Sequence, residues 1–133
     1  MTGTAATTAA VQAPPRGEVE VGARQRLEAL CDPGSFRPLR SQVLSRRLGD
    51  RAHGGDGVLA GAGRVSGQPV FCYAQDPSYL GGSLGEQHAD SIVRVLRLAG
   101  RAGAPVIGFI ESGGARMQEG LAALAGYARI FKE

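Results

Sequence analysis

Apolar positions along this chain recur with two periods, and each predicts its own kind of element. Ala104-Pro105-Val106-Ile107-Gly108-Phe109-Ile110 is a short apolar run opened by proline and holding β-branched residues, the pattern of a buried strand. Beyond it Met117, Leu121, Leu124, Ala128 and Phe131 fall at helical spacing and predict a helix with one apolar stripe. Upstream, Val58 to Val65 and Gln68 to Ala74 are two strand-like runs, with Ser66-Gly67 between them suited to a two-residue hairpin turn. Pro69, early in its run, suits a strand end or an edge. Ser83-Leu84-Gly85-Glu86 fits a capping box, opening a helix that reaches about Gly100. On that helix Ala89, Ile92, Val93, Leu96 and Ala99 share one face, leaving Asp90, Arg94, Arg97 and Arg101 for water. Leu27, Leu30 and Cys31 predict a further short helix from about Gly22, carrying Arg24 and Arg26 and stopped by the turn Asp32-Pro33-Gly34-Ser35.

Two regions lack a period. Phe36 to Gly55 reads as loop, with Arg46, Arg47, Arg51 and His53-Gly54-Gly55 exposed. Met1 to Pro15 is rich in Ala and Thr and predicts a disordered leader over residues 1–15. The remaining order of strand, helix, strand, helix is a βαβ unit, so the expected class is α/β, with a β-hairpin leading into a largely parallel sheet.

Composition narrows the function more than the fold. The chain has 133 residues, 43% of them apolar but only 5% aromatic, enough for one domain with a modest core. The net charge of +3 equals the excess of eight Arg over five acidic residues between Arg16 and Arg51. A small local excess without interleaved aromatics points to an anionic small molecule rather than nucleic acid. Two cysteines, Cys31 and Cys72, without Cys-x-x-Cys or a His cluster, argue against a structural metal and for a reduced, cytoplasmic setting. No apolar run is long enough to span a membrane.

The candidate chemistry lies at Ser112-Gly113-Gly114-Ala115-Arg116, which the pattern places where a strand ends and a helix begins. Glycines there admit a ligand to the backbone, and the unpaired N–H groups of a helix start suit a phosphate or a developing oxyanion. Other readings stand beside this one. Gly113 and Gly114 also suit a tight turn, Ser112 a helix cap, and Arg116 an ion pair with Glu111 or Glu119. His88 suits a packed or exposed histidine better than a base. No Gly-x-Ser-x-Gly elbow is present, and Gly61-x-Gly63 precedes no helix, so neither an esterase nor a dinucleotide site is indicated.

Four segments in order carry a family resemblance: Asp56-Gly57-Val58; Gln75-Asp76 with Gly81-Gly82-Ser83-Leu84-Gly85-Glu86; Gly103-Ala104-Pro105-Val106-Ile107-Gly108; and Ser112-Gly113-Gly114-Ala115-Arg116-Met117-Gln118-Glu119-Gly120. With the opening helix and Asp32-Pro33-Gly34-Ser35-Phe36, the chain from Gly22 onward resembles the amino-terminal half of the carboxyltransferase (β) subunit of biotin-dependent acyl-CoA carboxylases, the propionyl-CoA and acetyl-CoA carboxylase group. The resemblance implies a partial crotonase-like fold, with residues 16–133 forming an incomplete amino-terminal acyl-CoA carboxyltransferase domain. It implies transfer of a carboxyl group from carboxybiotin to the α-carbon of an acyl-CoA, with amides of Gly113, Gly114 and Ala115 at the thioester oxygen. For such a substrate Gly81, Gly82 and Ser83 suit an acyl pocket or only a turn of the chain, and Arg116 and Arg24 suit the CoA phosphates or, equally, an ion pair and an exposed helix face; no metal is expected. Biotin would arrive on a partner, a biotin carboxylase or biotin carrier subunit, and the full-length subunits would form a homo-oligomer. The family's Gly-Pro-x-x-Gly-Gly segment is missing before Glu133, so the expectation is a fragment inactive alone. A non-catalytic CoA-binding or oligomer-interface remnant, and a subunit of a biotin-dependent acyl-CoA decarboxylase, are the alternatives.

Overall fold

The two strand-like runs form an antiparallel hairpin in the computed structural model, which describes residues 22–133; the predicted leader at residues 1–15 lies outside the described residues. β2 (Val58–Val65) and β3 (Gln68–Gln75) pair from Val58 opposite Gln75 to Val65 opposite Gln68. The turn places both Ser66 (φ 51°) and Gly67 (φ 78°) in the left-handed region, which matches the right-handed twist of the strands. β4 (Val106–Phe109) adds parallel to β3, and β1 (Arg37–Leu39) antiparallel to β2, giving the order β1-β2-β3-β4. Pro69 pairs with Arg64 outside the stretch of β3 that pairs with β4, so its missing N–H costs no ladder bond.

Each face of the sheet buries its own apolar set. Val70, Cys72 and Ala74 of β3 pack with Phe36 and with Leu27 and Cys31 of the α1 segment (α1, Ala23–Leu30). On the other face Val58, with Tyr73 at its side, packs against Leu84 and against Ala89 and Ile92 of α2 (Glu86–Ala102). α3 (Leu121–Lys132) lies against α2 through Ala123 and Gly126, where a Cβ on Gly126 would stand 2.7 Å from that of Ala89.

Five sequence expectations change. The region from Phe36 to Gly55 contains β1, whose Arg37 carbonyl lies where a Cβ on Gly61 would be. The capping box at Ser83 does not form: α2 is capped two residues later by Gly85, Ser83 ends a short 3-10 turn, and Glu86 pairs with Arg47. α2 also runs past Gly100 to Ala102, ending on Gly103 at φ 63°. β4 is a half-exposed edge strand among the described residues rather than a buried one. Finally, the predicted apolar stripe of α3 faces outward, with Met117, Leu121 and Phe131 more than 80% exposed. Period alone cannot say which face meets a neighbour; here the close contact is made by the small residues.

Two glycine substitutions should therefore have opposite signs. Gly100→Ala, with open space around it in α2, should stabilise by about 0.5–1 kcal/mol. Gly126→Ala should destabilise by about 1–3 kcal/mol through overpacking against Ala89. Urea unfolding of both variants checks this, and equal signs would refute the packing assigned to α3.

Candidate active site

The segment Glu111 to Glu119 leaves the end of β4 and is tied along its length to the segment Gly81 to Glu86. Gly113 N donates to Gly81 O (2.9 Å), Leu84 N to Gly114 O (2.8 Å) and Arg116 N to Leu84 O (2.9 Å), the last two forming a parallel bridge between Leu84 and Ala115. Gly82 must lack a side chain, because a Cβ there would overlap the Glu111 carbonyl, and its φ of 67° suits glycine as well. The structure thus brings Gly81, Gly82 and Ser83 together with Gly113, Gly114, Ala115 and Arg116.

The glycines do not open a helix, however. A 3-10 turn (Met117–Glu119) and Gly120 at φ 54° intervene before α3 starts at Leu121, so the predicted helix mouth is not where Gly113 and Gly114 lie. Two of the three predicted donors are also occupied, Gly113 N by Gly81 O and Gly114 N by Ser112 Oγ (3.1 Å). Ala115 N, turned away from Leu84 by the bridge, meets no acceptor among the described residues.

Arg116 is the fixed point beneath this loop. Its side chain is 0% exposed, with Nη1 donating to Asp56 Oδ1 (2.5 Å) and Glu119 Oε2 (2.7 Å) and Nη2 to the carbonyls of Asp56 (3.1 Å) and Ser83 (3.0 Å). Tyr79 lies under the guanidinium at 5.4 Å. This corrects the expectation that Arg116 binds substrate: every polar edge of it is already used inside the protein. Glu111 pairs instead with Arg26 (2.6 Å). Glu119 also accepts from Glu86 N (3.3 Å), so its carboxylate meets the α2 N-terminus in place of the expected cap.

A second chain of bonds closes the other end of the loop. Glu111 N donates to Gln75 Oε1 (2.9 Å), leaving Gln75 Nε2 to donate to His88 Nε2 (3.2 Å). His88 Nδ1 then carries the proton and donates to Asp56 O (3.1 Å), while Asp56 Oδ2 accepts from His88 N (3.0 Å). His88 is buried and its pKa is lowered to about 4, first by desolvation and then by the Arg116 charge, so it is a neutral structural hydrogen-bond link. Desolvation pushes the Asp56 carboxyl up in spite of Arg116. Sequence reasoning gave Asp56 and Gln75 no role and read His88 as packed or exposed rather than as a base, and His88 is indeed packed; the one further signal was the charge pair of Arg116 and Glu119 at helical spacing.

Arg24 stands apart from this assembly. It pairs with Glu28 (3.5 Å) and lines a cavity of ≈ 350 Å³ with Ser41, His53, Gly55, Gly57 and Asp76, none of them predicted site residues. Among the described residues no group of His, Cys, Asp and Glu is arranged to hold a metal ion, and no helix is long and apolar enough to cross a membrane.

Two measurements test the network. Arg116→Met leaves two buried carboxyls without their cation and should cost about 3–5 kcal/mol in urea unfolding. Because the folded pKa of His88 lies below its unfolded value, its contribution is complete above pH 6.5 and is lost as pH falls toward 4, roughly 3 kcal/mol in all. Asp56, raised, works in the opposite direction. The fall in stability over that window should therefore shrink in His88→Gln; an unchanged slope would contradict the assignment.

Comparison with known proteins bears on the family and the fold. Residues 15–133 match the Carboxyl transferase domain family. The propionyl-CoA carboxylase beta chain of Cereibacter sphaeroides is 45% identical over 114 residues, covering 83% of this chain and 22% of that protein. The methylmalonyl-CoA decarboxylase subunit alpha of Veillonella parvula is 47% identical over 115 residues, covering 84% and 23%. In structure, transcarboxylase 12S, solved as a hexamer with methylmalonyl-coenzyme A bound, superposes with a TM-score of 0.81 at 36% identity over 84% of this chain and 22% of its own. The chain thus spans about a fifth of the length of the curated relatives it matches. Its α/β architecture is part of the crotonase-like carboxyltransferase fold, and the chain belongs to the carboxyl transferase domain family.

Proposed function

We propose that this chain is the acyl-CoA-binding part of a carboxyltransferase that moves a carboxyl group between carboxybiotin and the α-carbon of an acyl-CoA such as acetyl- or propionyl-CoA. The observation that carries the reading is the Ala115 N–H, left without an acceptor where two glycine-rich segments of a carboxyl transferase domain meet. Making a nucleophilic α-carbon from a thioester builds negative charge on the carbonyl oxygen, and a fixed backbone donor there is typically worth about 2.7–4 kcal/mol in the transition state. Gly113 and Gly114 keep side chains away from that approach, and Gly81, Gly82 and Ser83 hold the loop from behind. Arg24, beside the ≈ 350 Å³ cavity, remains a candidate for the CoA phosphates.

Biotin supplies the carboxyl group and, on this reading, arrives on a biotin carrier or biotin carboxylase partner, with the remaining domain and further subunits completing the site. The outward apolar side of α3 and the open edge of β4 are the surfaces such parts would cover. The similarity to a methylmalonyl-CoA decarboxylase subunit supports the same chemistry run in reverse as a second reading.

Calorimetric titration with propionyl-CoA should show one saturable site. Ala115→Pro, which deletes the unpaired N–H, should weaken binding about fivefold, the value of one neutral hydrogen bond. Carboxyl transfer from carboxybiotin should stay at background with this chain alone. Absent saturable binding would overturn the reading, and turnover above background would overturn the need for further domains.

A further inference from the structure

A second polar feature lies on the outer side of α2. A groove of ≈ 220 Å³ is lined by Arg40, Asp90, Val93, Arg94, Arg97 and Arg129, four guanidiniums against one carboxylate. Two of the arginines are neutralised in place, Arg129 by Asp90 (2.7 Å) and Arg97 by Glu133 (2.8 Å). The other two are not. Arg40 donates only to neutral acceptors on α2, Gln87 Oε1 (2.7 Å) and Ser91 Oγ (3.1 Å), both on buried residues. Its backbone adopts φ 54°, a conformation that L side chains rarely hold, so the chain accepts local strain where this guanidinium is anchored over α2. Arg94 is exposed and has no acceptor among the described residues.

We propose that this groove binds a soluble phosphate group, a monoester or a diphosphate, between Arg40 and Arg94. Guanidinium forks match phosphate oxygens in pairs and are less strongly hydrated than ammonium groups, which favours such ligands at a partly covered site. Two uncompensated cations suit a dianion, and the volume suits a diphosphate rather than a length of peptide. The groove shares no residue with Gly81 to Ser83 or Gly113 to Arg116, so the proposal stands whether or not the acyl-CoA reading does.

Titration of the chain with sodium pyrophosphate at low ionic strength tests it. One saturable site is expected, weakened at least tenfold in Arg94→Gln and in Arg40→Gln and unchanged in Arg101→Gln, whose parent side chain lies on the same helix outside the groove. Arg94 makes no internal bond among the described residues, so its variant keeps the test independent of folding. Absence of saturable binding, undiminished binding by Arg94→Gln, or tighter binding of a hexaglutamate peptide than of pyrophosphate would overturn it.

Discussion

A guanidinium taken wholly out of water must have its donors met by the protein, and Arg116 imposes that requirement on two distant parts of the chain and on the turn that follows it. Its partners are Asp56 before β2, Ser83 before α2 and Glu119 before α3. None of these segments can shift without exposing a buried charge, so together they behave as one unit. The geometry also explains two glycines that a ligand-centred reading leaves open. A Cβ on Gly85 would stand 2.7 Å from Arg116 Cζ, and one on Gly57 would stand 3.3 Å from its Nη2. Gly85 is bare to make room for the arginine and its Glu119 partner, while a Cβ on Gly57, at φ 85°, would also stand 3.1 Å from Tyr79. Lysine, a single compact cation, could not span the same set of acceptors.

Such a cluster is a poor source of stability, because desolvating an ion pair costs about as much as the pairing returns. Its consequence here is register. The bonds from Glu111 through Gln75 and His88 to Asp56 meet those from Arg116 at the same Asp56 carbonyl, so the loop from Glu111 to Arg116 is pinned at both ends. A catalytic donor must be held within a fraction of an ångström of its acceptor, and side-chain packing around glycines cannot supply that precision. Buried charge does so where bulk is not permitted.

The hairpin and α2 were legible in the sequence because their information is local: alternation, a Ser-Gly turn and a run of helical spacing. β1 was not, since three residues without a period are fixed by what lies across the sheet, a glycine at position 61 that admits the Arg37 carbonyl. The stripe of α3 was visible, but its outward direction was not, because large apolar residues signal burial somewhere and not against which neighbour. The site was half legible. Ser112 to Arg116 and Gly81 to Ser83 were selected as glycine-rich segments, and they do meet. The pair of Arg116 with Glu119 was among the readings the sequence offered, but its second carboxylate partner, Asp56, was hidden because it lies 60 residues away. The occupied amides of Gly113 and Gly114 depend on Gly81 O and Ser112 Oγ, and nothing in a glycine pair announces that.

That occupancy changes what the loop can contribute chemically. If Ala115 alone offers an N–H, the thioester oxygen receives one donor from these residues, worth a factor of roughly 10²–10³ in rate on the usual scale. An enolate oxygen with one donor remains under-solvated compared with water, which offers two or three. Useful acceleration on this reading requires a second donor from outside residues 22–133, and the chain spans only about a fifth of its relatives' length. On the proposed reading the loop, pinned at both ends, would be half of a paired site. Its immobility is what allows the other half to be added without either donor having to search for its position.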